Sequence, residues 1–499
     1  RDRDGTLLWD ETGPTAEARN LGLGALVGFD PHHQTAVAGV LARLGERGTD
    51  AANARLTLDS TLQRLARDTL LKQLPEVAAR FGARDPYQAQ RFASLVVLDA
   101  DQGDILAAVS LPEPPRAAAW ADLYHFNAAQ PRRGPLRWWA WQHDGGNLHE
   151  PGSTFKLLSA LALERSAQQN PELTALLDGL EPGAIAGHPL AMGYDFGVQD
   201  ACYPAHQQPC VHNFGHGGRY ATLATQVSPR EPRYGLEQAL RDSLNTWFAW
   251  LVETTDATLI GDPQTGQLLR VHALTPAALN GVRPLAAVTA ALGFGAETRL
   301  DGGLLPADAL RSGDILLTTP SRLDPIQDRH QIRLAALGFR MQVTPLQMAR
   351  VAASIATEQT IQPRLLLELN GRTAGNPGFA ALGISTQRIR QGMKRVPVDG
   401  TARGAFGQPE FAVLRPALYA KTGTADLTLP NDAPANNAWL AGWVEPGGIP
   451  GEQRRLAFAC QISHAHQTGG AECGEVVANF MEALADAKRE KGNQEAGET

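Results

Sequence analysis

The chain has 499 residues, 43% of them hydrophobic, which suits one large globular body with a smaller appendage. Its 45 Lys and Arg against 52 Asp and Glu give a net charge of -7, so it carries no basic footprint for nucleic acid. The longest apolar runs, LLSALALE and NNAWLAGWV, fall short of the roughly 18 residues a membrane-spanning helix needs, and the opening RDRDGTLLWDETG lacks the basic and apolar regions of a signal peptide.

Residues 1–52 are turn-rich and read as a short N-terminal segment. At Leu56 the text becomes LTLDSTLQRLARDTLLKQ, where Asp59 or Ser60 can cap a helix and Leu62, Leu65, Ala66 and Leu70 recur at helical spacing, so the main domain is expected over 53–488. SLVVLDADQGDILAAVS carries two apolar runs around Gly103, a hairpin signal. Residues 112–150 read as a loop leading to a helix near Ser153 that is apolar almost all round, which marks a core helix. Short helical patterns follow to about 320, among them GLEQALRDSLNTWFAWLVE, with Leu236, Leu240, Leu244, Phe248 and Leu251 on one side; a mainly helical lobe is expected. Thr344 as cap, with Pro345 at the first helical position, starts another helix. Three strand-like runs, ALYAKTGTA, NAWLAGWVE and RLAFACQIS, precede a helical VVANFMEALADAK, and residues 489–499 read as a flexible charged tail.

Three short patterns carry chemistry. Pro151 and Gly152 permit a tight entry into a helix at Ser153, where unpaired N–H groups and the helix dipole favour an oxyanion. Lys156 follows one turn later on the same face, and burial among Phe155, Leu157 and Leu161 would lower its pKa toward that of a base. Alone, S-x-x-K is more often a capped core helix whose lysine reaches water. Ser243 and Asn245, in RDSLNTW, offer a hydroxyl for proton relay and an amide that accepts from a lysine, although a helix cap has the same look. Lys421, Thr422, Gly423 and Thr424 lie on a strand pattern. Lysine and hydroxyls suit a carboxylate, and Gly423 leaves room for a substrate backbone; an edge strand bearing a lysine is the plainer alternative.

In the order S-x-x-K, S-x-N, K-T-G-T these patterns match the set shared by penicillin-binding proteins and class A β-lactamases. LTLDSTLQ, SLVVLDADQGDILAAVS, EPGSTFK, GHGG, RDSLNTWFA, VTPLQMARVAASIA, GTARGAF and KTGTA followed by NNAWLAGW resemble penicillin-binding transpeptidases over roughly residues 55 to 487. The opening resembles the membrane-proximal start of the monofunctional class B proteins. The resemblance implies an α+β fold, with an antiparallel sheet of about five strands flanked by helices plus an all-helical lobe. It implies a cofactor-free D,D-transpeptidase on the extracytoplasmic face of the membrane. Such a protein acts on peptidoglycan stem peptides, is acylated by β-lactams, and meets a glycan-polymerising membrane partner through its N-terminal segment. Ser153 would be the acylated nucleophile, Lys156 its base, and Ser243 with Asn245 the proton relay. Lys421 would supply positive charge, Thr422 and Thr424 would bind the substrate carboxylate, and the N–H groups of Ser153 and Thr424 would form the oxyanion hole. A D,D-carboxypeptidase and a catalytically silent β-lactam sensor or scaffold share the motifs. SLN in place of SDN, with no convincing loop glutamate, argues against a β-lactamase. An E-D-x-x-F glycosyltransferase signature is absent, and Phe339-Arg340 stands where a Gln-Gly pair is expected.

Cys202, Cys210, Cys460 and Cys473 form two sequence-local pairs, compatible with disulfides in an oxidising compartment. Cys202, His206, Cys210, His212 and His216 lie close together, but their spacing is not a usual zinc pattern. A Cys202–Cys210 bridge is therefore preferred to a metal, with Cys460–Cys473 as a second candidate.

Overall fold

The computed structural model describes residues 1–30, 33–45, 53–81, 92–113, 138–143, 149–181, 198–199, 210–211, 233–258, 282–327, 329–375, 378–428 and 434–497. Five strands, β1 (Ala93–Asp99), β2 (Ile105–Leu111), β3 (Leu418–Thr428), β4 (Pro434–Val444) and β5 (Leu456–Ala465), form one antiparallel sheet in the order β3-β4-β5-β1-β2. β1 and β2 are the expected hairpin. Gly103 turns it at φ +73°, a left-handed position that costs glycine little, and donates its N–H to Asp99 O at 2.8 Å. In β3 the register sets Lys421 opposite Ala441, Gly423 opposite Trp439 and Thr424 opposite Ala438.

Strands β1, β2 and β5 are buried along their whole length, which explains their near-continuous apolar text: helices cover both faces of the sheet. On one face Leu95, Val97, Leu440 and Phe458 pack under α1 (Ser60–Phe81) and the last helix, Glu472–Gly497. On the other, Val96, Leu98, Ala441 and Ala459 belong to the core that contains α2 (Lys156–Ala167). The lobe beyond includes α3 (Leu236–Asp242) and α4 (Asn245–Thr255). Helix α5 (Pro345–Thr357) lies directly on β1, β4 and β5, and α6 (Gln387–Arg395) packs against α3 and β3. The caps follow the sequence: the Asp59 carboxylate accepts Leu62 N–H at 3.1 Å to start α1, and the Thr344 hydroxyl accepts Gln347 N–H at 3.2 Å to start α5.

Around α2, Phe155, Leu157, Leu158, Leu161 and Leu163 are all fully buried, each contributing about 1.5–3 kcal/mol of apolar burial. Glu164 at its far end is held by Arg388 of α6 at 2.8 Å. The N-terminal residues Leu8, Leu23, Leu26 and Val40 share this core, and Leu56 N–H donates to Arg1 O at 2.9 Å.

Three details differ from the sequence reading. The helix expected through Ser243 is two helices, because Ser243 adopts a left-handed conformation (φ 57°, ψ 44°) between α3 and α4. The final helix, α7 (Glu472–Gly497), continues through the residues expected to be a flexible tail; Lys488 reaches Glu452 at 3.0 Å, and Arg489 meets Asp486 one turn back. Cys460 and Cys473 are free buried thiols with Sγ atoms 2.6 Å apart, and burial pushes the Cys473 pKa up. Cys202, His206, His212 and His216 lie outside the described residues, and Cys210 is described only as backbone, so the first candidate bridge and the zinc cluster fall outside them too.

Candidate active site

Three distant stretches of chain converge on one hydroxyl. Ser243 Oγ lies 3.1 Å from Lys156 Nζ and 2.9 Å from Lys421 Nζ. Lys156 Nζ also reaches Ser243 O at 2.7 Å and Asn245 Oδ1 at 2.5 Å, while Lys421 Nζ donates to Thr422 O at 3.0 Å. Both lysines are 0% exposed, so the reading of Lys156 as a lysine reaching water does not describe this site, while Lys421 does stand on an edge strand but with its side chain buried.

A carbonyl and an amide oxygen can only accept, so Ser243 O and Asn245 Oδ1 take two N–H bonds from Lys156. A protonated Lys156 gives its third N–H to Ser243 Oγ, whereas a neutral one can turn its lone pair to that hydroxyl; Ser243 Oγ also accepts from Lys421. The electrostatics favour the neutral form of Lys156. Burial, and after it the charge of Lys421, holds the Lys156 pKa well below its ordinary value. Burial lowers Lys421 to about 7, opposed by the carboxylate of Asp242. That carboxylate is gripped by Arg241 Nε and Nη2, both at 2.7 Å, and by the Tyr234 hydroxyl. The left-handed conformation of Ser243 presents its hydroxyl and its carbonyl to the same amine, which a continuous helix would not do.

Ser153 is half-buried in a 3₁₀ turn, Gly152–Phe155, directly before α2. Lys156 is one turn on, but its amine is engaged by Ser243 and Asn245 rather than by Ser153 Oγ. The turn presses against β3: a Cβ on Gly152 (φ +51°) would meet Thr424 O at 2.5 Å, and one on Gly423 would meet Pro151 O at 2.3 Å. The close approach that requires Gly423 is thus made by the serine-bearing turn, whereas sequence reasoning assigned it to substrate backbone. The Thr422 and Thr401 hydroxyls are 2.6 Å apart, and Thr424 Oγ1 accepts Gly469 N–H at 3.1 Å.

Sequence reasoning missed Thr401, Asp242 and Gly469. Thr401 also donates its N–H to Arg241 O at 3.3 Å, tying α3 to β3. Its only signal was the string GTARGAF, and Asp242 stood unweighed beside Ser243. Among the described residues, no group of three or more His, Cys, Asp and Glu side chains is placed to hold a metal ion.

A five-stranded antiparallel sheet covered by helices, with a lysine-bearing edge strand facing a serine–lysine turn, defines the transpeptidase/β-lactamase-like class of fold. The family profile described as the penicillin binding protein transpeptidase domain matches residues 223–482, just over half of the chain, and the protein belongs to that family. The match takes in Ser243, Asn245 and Lys421–Thr424 and begins after Ser153 and Lys156. Among solved structures the fold is similar to Pseudomonas aeruginosa PBP2 in complex with WCK 5153, at 19% identity over 97% of this chain and 94% of that one, with a TM-score of 0.58. It is also similar to the D,D-transpeptidase domain of a peptidoglycan glycosyltransferase from Eggerthella lenta, at 20% identity over 88% and 84%, TM-score 0.52. A third likeness is to a peptidoglycan synthase complex described as coordinating polymerization and crosslinking, at 20% identity and TM-score 0.55, covering 87% of this chain and only 63% of the other. At these identities the likeness is one of fold. No curated protein sequence matches the chain.

Proposed function

We propose that the protein is a serine D,D-transpeptidase that cross-links peptidoglycan stem peptides through an acyl-enzyme on Ser153 and is acylated there by β-lactams. The observation that carries this reading is the Ser243 hydroxyl held between the two fully buried amines of Lys156 and Lys421. Ser153 Oγ adds to the carbonyl carbon of the penultimate residue of a D-Ala-D-Ala stem peptide while its proton passes to Lys156 Nζ. The N–H groups of Ser153 and Thr424 receive the developing oxyanion. When the tetrahedral centre collapses the C–N bond breaks, and the proton moves from Lys156 through Ser243 Oγ to the departing D-Ala nitrogen. An amine of a neighbouring stem peptide then attacks the ester, gives its proton back along the same route and frees the Ser153 hydroxyl. Lys421, Thr422 and Thr424 receive the terminal carboxylate, and Thr401 steadies Thr422. A β-lactam opened by Ser153 keeps its nitrogen tethered, so the ester persists.

On this reading the protein works on the extracytoplasmic face of the membrane, and its N-terminal segment meets a glycan-polymerising partner. The likeness to a peptidoglycan synthase complex supports that pairing. No described helix is long and apolar enough to cross a membrane. Labelling with a fluorescent penicillin tests the acyl-enzyme: label is expected on wild type and lost in Ser153→Ala, and the opposite result on either overturns the reading. Mass spectrometry of muropeptide products then separates dimer, for a transpeptidase, from trimmed monomer, for a carboxypeptidase, and from unchanged substrate, for a silent sensor.

A further inference from the structure

The turn that carries Ser153 is fixed by contacts the reaction scheme leaves unused. Glu150 O accepts the indole N–H of Trp439 at 3.0 Å, and Glu150 Oε1 accepts the backbone N–H of Arg340 at 2.8 Å. Gly152 N–H donates to Gly338 O at 3.1 Å, and Val343 N–H to His149 O at 3.0 Å. The approach is so tight that a Cβ on Gly338 would lie 1.9 Å from Gly152 O. Arg340 takes a left-handed φ of 61°, costly for a residue other than glycine, and it stands where the family resemblance calls for Gly. What the arginine adds at that cost is a positive charge whose field favours the ionised form of Glu150. The other charges that act on Glu150 are both acidic. Asp426 lies two residues beyond Thr424 on β3, and Asp324 donates its N–H to Arg340 O at 2.9 Å. A mostly buried carboxylate therefore sits behind the serine turn, its ionisation opposed by burial and two acids and favoured by one N–H and one guanidinium. The balance raises its pKa to about 7.

We infer that Glu150 is a positioning residue for Ser153, its ionised carboxylate clamping the serine turn to the loop at Arg340, and that Arg340 sets the pH at which the clamp engages. This rests on the acyl-enzyme reading of Ser153. A hydrogen bond to a carboxylate is about twice as strong as one to a neutral acceptor, so the turn is held best once Glu150 has lost its proton. Reactive geometry is gained as pH rises through about 7. Removing the guanidinium raises the midpoint; removing the charge of Asp426 lowers it.

The test is the rate of acylation by a fluorescent penicillin from about pH 5 to about pH 9, a span that covers carboxylate and imidazole values and both shifted groups. It is run on wild type, Glu150→Gln, Glu150→Ala, Arg340→Gly and Asp426→Asn, with Tm at each pH. Wild type is expected to show a bell-shaped profile whose rising limb carries the Glu150 inflection near 7 and whose falling limb is the deprotonation of Lys421. Glu150→Gln removes the rising inflection, because its amide oxygen accepts the same N–H at every pH. Glu150→Ala lowers the acylation rate above that pH about tenfold, as loss of one charge-assisted bond predicts, with penicillin affinity unchanged. Arg340→Gly and Asp426→Asn displace the inflection in opposite directions, which titration of the site lysines does not imitate. Folding is read independently. The folded Glu150 binds its proton more tightly than the unfolded one, so wild type loses stability relative to Glu150→Gln as pH rises from 4.5 to about 7. A rising inflection that survives Glu150→Gln, or that fails to move oppositely in the other two variants, overturns the inference alone. Absence of label on wild type overturns the acyl-enzyme reading and the inference with it.

Discussion

The two faces of the central sheet bury different things. Beneath α1 and α7 the interior is apolar: Leu95, Val97, Leu440, Phe458 and Phe480 fill it, and even the cysteines pack there as small hydrophobes. On the face toward α2 the core is equally dry, but at the end nearest β3 it closes over Lys156, Lys421 and, mostly, Glu150. Among the described residues neither lysine has an ion pair, and their partners are hydroxyl, amide and carbonyl oxygens. Burying charge on neutral partners costs stability. One face therefore supplies the stability on which the strained chemistry of the other depends.

The contrast can be broken from either side. Ser153→Ala should have the largest effect, complete loss of penicillin label with an unchanged melting curve. Lys156→Met should lower the acylation rate by about 10²–10⁴-fold, the range for a general base, while raising Tm, since a buried amine is replaced by an apolar chain. A fall in Tm with retained acylation would show that the amine stabilises the fold instead. On the opposite face Phe458→Ala should cost about 3–5 kcal/mol in denaturant unfolding, with the acylation rate per folded molecule unchanged. The smallest effect is electrostatic. Asp242 raises the Lys421 pKa, so Asp242→Asn should move the alkaline limb of the acylation profile to lower pH. The stability sign follows separately. Lys421 is lowered from 10.5 to about 7, so the unfolded chain binds the extra proton between those values and wild type gains stability as pH rises through them, a gain that Lys421→Met removes.

Much of this was legible in the text. The hairpin about Gly103, the caps at Asp59 and Thr344 and the three terminal strands are local signals, and the three motifs declare their chemistry in a few residues each. What stayed hidden depends on partners far along the chain. The glycine at 423 is explained by Pro151, the hydroxyl of Thr422 by Thr401, and Glu150 by a loop 190 residues away. The break at Ser243 was hidden for another reason, since its apolar neighbours keep helical spacing on both sides and periodicity does not report a single φ angle. Charge composition misled at the C-terminus, where the helix runs on to Gly497 within the expected tail.

That left-handed serine also limits the chain's freedom to drift. A β-branched threonine would keep the hydroxyl but resist the backbone angle, glycine would accept the angle and lose the hydroxyl, and asparagine or aspartate would tolerate the angle but replace a donor–acceptor with a different group. If the proposed acyl-enzyme chemistry holds, a lineage escaping an inhibitor of this site has little room at position 243. Its accessible changes lie in the surrounding wall, where shape varies without rewiring the amines.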